Sequence, residues 1–129
     1  MKEKAPRSAD KKLRVLIVDD SANIRSMLVR LCAGFPKLDV VGEAKDGLEA
    51  LAAIKQYQPQ VITLDIQMPK LNGLEVLKAI RQEQSKPVVI VLTGINEELY
   101  RQKCFELGAN YVFAKGGEFD DILRVLRSL

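Results

Sequence analysis

The sequence predicts an α/β domain in which one five-stranded parallel sheet is wound on both faces by helices. Three observations carry this. Short apolar runs and amphipathic segments alternate five times along the 129 residues, the order that builds a doubly wound sheet. The runs are apolar at successive positions instead of alternate ones, as expected of strands covered on both faces. Four of the five runs are followed directly by a polar residue, and each leads on to a helix signal. The right-handed crossover rule leaves few ways to connect such units.

The elements follow in order. Val15-Leu16-Ile17-Val18 is the first strand, and Ile24, Met27, Leu28 and Leu31 give the next segment a helical stripe that Gly34 stops. Leu38-Asp39-Val40-Val41 is a shorter, more polar strand, expected nearer the sheet edge. Asp46 and Glu49 have capping-box spacing ahead of a helix with Leu48, Leu51 and Ile54. Pro59 precedes the third strand, Val61 to Leu64, which delivers Asp65. Asn72 and Glu75 repeat the cap signal before Leu74, Leu77 and Ile80. Pro87 introduces Val88-Val89-Ile90-Val91-Leu92, the most apolar run. Asn96 is placed to cap a helix through Leu99, Lys103 and Leu107, ended by Gly108. Tyr111-Val112-Phe113-Ala114 is the fifth strand, and Phe119, Ile122, Leu123 and Leu126 mark the last helix.

Residues 1–11 lack periodicity and read as a flexible basic leader, leaving 12–129 as the one folded domain, with no room for a second. The net charge is +3, but residues 1–14 hold six basic residues against two acidic ones, leaving −1 for the remainder. Direct DNA binding is therefore not expected of the folded part. No apolar run approaches a membrane span, and the charged start has no signal-peptide core. Cys32 and Cys104 match no metal spacing and read as reduced, partly buried thiols, favouring a cytoplasmic protein.

The chemistry sits where the strands end. Asp19 and Asp20 follow the first strand, Asp65 the third, Thr93 the fourth and Lys115 the fifth. Parallel strands bring those carboxyl ends to one edge, where open α/β sheets hold their ligands. Taken singly, each residue has an ordinary reading: Asp65 capping a loop, Asp19 and Asp20 capping the first helix, Thr93 starting a turn, Lys115 solvated. Together they describe a pocket. Three converging carboxylates repel unless a cation sits among them. Oxygen-only donors suit Mg²⁺, which takes one or two carboxylates together with phosphate oxygens. A carboxylate can itself accept a phosphoryl group as an acyl phosphate.

Residues 13–129 resemble the receiver domains of bacterial two-component response regulators, the CheY-like family. The likeness rests on Val18-Asp19-Asp20-Ser21, Leu64-Asp65-Ile66-Gln67-Met68-Pro69, Asn72-Gly73-Leu74-Glu75, Leu92-Thr93-Gly94, Gly108-Ala109 and Lys115. It implies the CheY/flavodoxin-like strand order 2-1-3-4-5. It also implies a stand-alone switch: Asp65 as phosphoacceptor, Asp19, Asp20 and the backbone carbonyl of Gln67 with Asp65 around Mg²⁺, and Thr93 and Lys115 on the phosphoryl group. The donor would be a sensor histidine kinase or a histidine phosphotransfer protein. A downstream target protein would read the fourth helix, fifth strand and fifth helix. A phosphorelay intermediate and a phosphorylation-independent adaptor are the alternatives. A haloacid-dehalogenase-type phosphatase wants Asp-x-Asp after the first strand, where this chain has adjacent aspartates. Three departures are visible. Gly116 and Gly117 follow the lysine where relatives usually have proline, Val112 stands where they carry a switch aromatic, and Ile95 is apolar where many of them are polar.

Overall fold

A computed structural model of the chain describes residues 12–83, 86–94, 97–115 and 119–129. The strands are β1 (Leu13–Val18), β2 (Leu38–Ala44), β3 (Val61–Asp65), β4 (Val88–Thr93) and β5 (Tyr111–Ala114). The helices are α1 (Ala22–Ala33), α2 (Gly47–Tyr57), α3 (Gly73–Arg81), α4 (Glu98–Glu106) and α5 (Phe119–Ser128). All neighbouring strands pair in parallel, in the order β2-β1-β3-β4-β5. The expected fold class and topology are therefore found, with β2 at an edge.

Alternate strand residues feed two cores. Leu16, Val18, Ile62, Leu64, Val89, Val91 and Val112 point to one face, where α2, α3 and α4 cover them with Ala50, Ala53, Ile54, Val76, Leu77, Ile80 and Cys104. Val15, Ile17, Val61, Ile90 and Leu92 point to the other, beneath Leu28 and Cys32 of α1 and Ile122, Val125 and Leu126 of α5. Burying each large aliphatic side chain stabilises the fold by about 1.5–3 kcal/mol. Both faces of β3 are covered, and each of its residues is buried.

Three expectations are corrected. β2 runs on through Gly42 and Glu43 to Ala44, past a register irregularity opposite Val15 and Leu16. Leu48 of α2 is 57% exposed, because Gly47, Ala50, Ala53 and the expected Ile54 make that helix's buried face. Leu99 of α4 is 80% exposed, and Cys104 is that helix's one buried residue. The leader, Ile95, the Asn96 cap, Gly116 and Gly117, and the side chain of Phe119 lie outside the described residues.

The helix starts fix the loops above the sheet. Asp46 caps α2 by accepting from the Glu49 amide, which holds its carboxyl below the ordinary range. Glu49 reaches back to the Lys45 amide, one residue short of a closed box. Asn72 caps α3 by accepting from the Glu75 amide. Ser21, not the acidic pair, caps α1. Two glycines let backbone meet backbone. A Cβ on Gly47 would lie 2.0 Å from the Leu71 carbonyl oxygen, and one on Gly73 would lie 2.4 Å from Ile66 Cα. Gly108 takes φ +109° just beyond α4, as its role as a helix stop required.

Candidate functional site

The residues named at the strand ends converge. Asp19 follows β1, Asp65 ends β3, Thr93 ends β4, and each is only 1% exposed. Lys115 follows β5, and its amide donates to the Thr93 carbonyl at 2.9 Å, which ties the last two strand ends together. The Lys115 ammonium lies 3.0 Å from Asp65 Oδ2 and 3.1 Å from Asp19 Oδ2. It donates to Asp65 Oδ2 and, at 3.3 Å, to Asp19 Oδ1. Asp20 is exposed, yet a carboxylate oxygen of each of Asp19, Asp20 and Asp65 lies within 4.8 Å of the others.

Local hydrogen bonds aim these groups. The Ser21 amide donates to Asp19 Oδ1 and the Gln67 amide to Asp65 Oδ1, so each aspartate turns one oxygen back onto its own loop. Asp65 thus does hold its loop, as its ordinary reading required, while keeping Oδ2 on Lys115. Gly73 donates to the Ile66 carbonyl at 2.8 Å and closes the loop that carries Gln67. Sequence reasoning missed Arg25, which donates to the Asp19 carbonyl at 2.8 Å and pairs with Glu43 at 3.1 Å. A cation in the first turn opposes the helix dipole. That anomaly was the available sign that Arg25 had a partner near β1.

The electrostatics are those of a crowded anionic pocket. Burial pushes the Asp65 carboxyl up, Lys115 pulls it back and the Asp19 charge raises it further, leaving it at about 6. Burial pulls the Lys115 ammonium down, but hydrogen bonds to Asp65 and Asp19 outweigh this and hold it above its ordinary value. Asp19 Oδ2 is buried and has an ion pair but no hydrogen bond. One lysine therefore leaves a buried oxygen short of a partner beside two further carboxylates. Hard oxygen donors with a free lone pair fit a divalent cation such as Mg²⁺.

The pattern of the response regulator receiver domain matches residues 15–127. The chain belongs to that family. This receiver chain is 46% identical over 80 residues to a protein-glutamate methylesterase/protein-glutamine glutaminase of Rhizobium johnstonii, covering 62% of this chain and 23% of the relative. It is 42% identical over 100 residues to the enzyme of that name from Yersinia pestis, covering 76% and 28%. The receiver thus spans about a quarter of the length of these curated relatives. Among solved structures, the response regulator domain of Thermotoga maritima CheB is 35% identical, with 92% of this chain and 96% of that one covered at a TM-score of 0.82. A chain of the CheX–CheY–BeF₃–Mg²⁺ complex from Borrelia burgdorferi is 26% identical, with 92% and 90% covered at a TM-score of 0.82. The receiver's acidic cluster is of the kind that holds Mg²⁺ in this family. None of its described helices is long and apolar enough to cross a membrane.

Proposed function

We propose that residues 12–129 work as a phosphorylation switch in two-component signalling, with residues 1–11 as a leader. Asp65 accepts the phosphoryl group. The observation that carries this is a buried carboxylate with one oxygen on a lysine, two more carboxylates within reach, and a position at the open edge of the sheet. Its carboxyl, raised to about 6, is largely ionised at neutral pH and so nucleophilic. In transfer from a phosphohistidine, an Asp65 oxygen bonds to phosphorus while the phosphorus–nitrogen bond breaks. The imidazole keeps that electron pair and takes a proton from solvent. Lys115 follows the charge, pairing with a phosphoryl oxygen as Asp65 Oδ2 becomes the bridging oxygen of an acyl phosphate. Thr93, at the neighbouring strand end, offers its hydroxyl to a second oxygen. Asp19, Asp20, Asp65 and the backbone carbonyl of Gln67 would hold Mg²⁺, which supplies positive charge against the phosphoryl oxygens.

In this reading the donor is a sensor histidine kinase, a histidine phosphotransfer protein or a small phosphodonor in the cytoplasm. A downstream protein reads the surface made by α4, β5 and α5, without membrane or DNA contact by this domain. In this first reading the switch is a stand-alone response regulator. A second reading is favoured by the greater length of the methylesterase relatives: the same switch joined to a further catalytic region. The chemistry at Asp65 is common to both.

The test is incubation with acetyl phosphate and Mg²⁺ followed by intact-mass measurement. A phosphate-sized increment that EDTA or Asp65→Asn abolishes is expected. No increment in demonstrably folded protein would overturn the reading.

A further inference from the structure

The turn that carries the acidic pair is held by more than its own aspartates. The Asp19 amide donates to the Ala44 carbonyl at 3.0 Å, one step past the last paired residues of β1 and β2. The Asp19 carbonyl points to the same side, but β2 has ended there and offers it no strand amide. It accepts instead from Arg25 Nη1 at 2.8 Å. The Arg25 amide bonds the Ser21 carbonyl at 3.0 Å, so the side chain springs from the first turn of α1 and returns to the turn below it. Its Nε meets Glu43 Oε1 of β2 at 3.1 Å, and the side chain is 19% exposed. One guanidinium thus joins α1, β2 and the turn after β1. Its planar fork holds two acceptors in a fixed mutual geometry, which an ammonium cannot do.

The register of β2 is what brings Glu43 to this place. Val15 pairs with Val40, but Leu16 pairs with Gly42, so Val41 is an extra residue. In unbroken register Glu43 would lie opposite Val18 and share its face, the one covered by α2, α3 and α4. The slip sets it opposite Ile17 instead, on the face covered by α1 and α5. Bulges beside functional sites re-aim side chains in this way. Glu43 also offsets the charge of Arg25, a cation that would otherwise repel a metal ion near Asp19 and Asp20.

We propose that Arg25 is a positioning residue of the acidic pocket: through its bond to the Asp19 carbonyl, braced by Glu43, it fixes the turn from which Asp19 and Asp20 present their carboxylates to Mg²⁺. This rests on the reading of those aspartates as metal donors. Asp19 is held at its amide by Ala44, at its carbonyl by Arg25 and at its carboxylate by the Ser21 amide and Lys115. A donor set fixed in advance suits Mg²⁺, which demands near-octahedral geometry. Position and charge act here with opposite signs. If Arg25 worked through its charge alone, removing it would tighten Mg²⁺ binding; if it holds the turn, removing it weakens binding, and partners of this kind are worth roughly 10–100-fold in metal affinity.

The test is Mg²⁺ affinity by calorimetry on the parent chain, Arg25→Met and Arg25→Lys, each shown to be folded by urea unfolding. Arg25→Met keeps an apolar stem and loses the charge and both bonds, and is expected to bind Mg²⁺ about tenfold more weakly. Arg25→Lys keeps the charge and can meet one acceptor, so its affinity is expected to fall between the two. In the acetyl phosphate assay, the Mg²⁺ concentration giving half the maximal rate should rise in Arg25→Met by the same factor as the calorimetric constant. Parental or tighter affinity in folded Arg25→Met, or parental affinity in Arg25→Lys, overturns this inference and leaves the phosphoacceptor standing. Should Arg25→Met not fold, Arg25→Lys alone decides. No Mg²⁺ binding by the parent chain overturns this inference together with the metal reading it rests on.

Discussion

The raised carboxyl of Asp65 makes stability depend on pH in a direction opposite to that of most aspartates. In the unfolded chain the group titrates at its ordinary 3.8; in the fold, burial and the Asp19 charge, against the pull of Lys115, put it at about 6. Between those values the folded state holds a proton that the unfolded state has released. Stability therefore falls as pH rises through this window. Below it both states are protonated and the penalty is absent; above it the penalty is complete, at about 3 kcal/mol. Urea unfolding in EDTA from about pH 4 to about pH 7, on the parent chain and on Asp65→Asn, isolates this contribution, since the amide does not titrate. The stability advantage of Asp65→Asn is expected to widen by about 3 kcal/mol across the range. Added Mg²⁺ binds the ionised form and should narrow it again above pH 6. Parallel curves for the two proteins would refute the burial argument.

Three further outcomes follow from particular contacts. Lys115→Ala removes the cation between Asp19 and Asp65, so Mg²⁺ affinity measured by calorimetry should not fall while phosphorylation no longer strengthens partner binding; a collapse of metal affinity would contradict the assigned role. Thr63→Val deletes a buried hydroxyl with no hydrogen-bond partner, so urea unfolding should show a gain of about 1 kcal/mol, and a loss would show that the hydroxyl is used. Gly73→Ala places a Cβ 2.4 Å from Ile66 Cα and 2.6 Å from the Asp65 carbonyl oxygen. It should lower stability by about 1–3 kcal/mol or more and slow phosphoryl uptake in the mass assay, whereas unchanged uptake would separate that loop from the chemistry.

The sheet was legible because its central strands are apolar at successive positions, and the site because four of the five apolar runs lead directly into a polar residue. What resisted reading had specific causes. β2 is an edge strand, and Gly42 and Glu43 broke its apolar pattern before the backbone stopped pairing. In α2 the buried stripe joins Ile54 to Gly47 and two alanines, so the larger Leu48 drew attention away from Ala50 and Ala53. In α4 the spacing of Leu99, Lys103 and Leu107 imitates a helical stripe, but the sheet beneath takes only Cys104, with Tyr100 and Leu107 beside it. At the site, the convergence of Asp19, Asp65 and Lys115 could be inferred from topology, because parallel strands leave little choice. The bond of Arg25 to Asp19 was signalled only by a cation early in α1, since it is made to a backbone carbonyl that no residue type marks in the sequence.

Asp65 is nearly inaccessible, at 1% exposure, while the lysine beside it keeps a quarter of its side chain in solvent. In the phosphoacceptor role proposed for Asp65, such depth would act as a filter on approach. A phosphoryl group carried on a free small molecule, or on a side chain that projects from its own protein, would descend to the carboxylate more readily than one lying flush in a surface. The same burial would limit the water that reaches the acyl phosphate, so one feature would bear both on how selectively the group is received and on how long it stays.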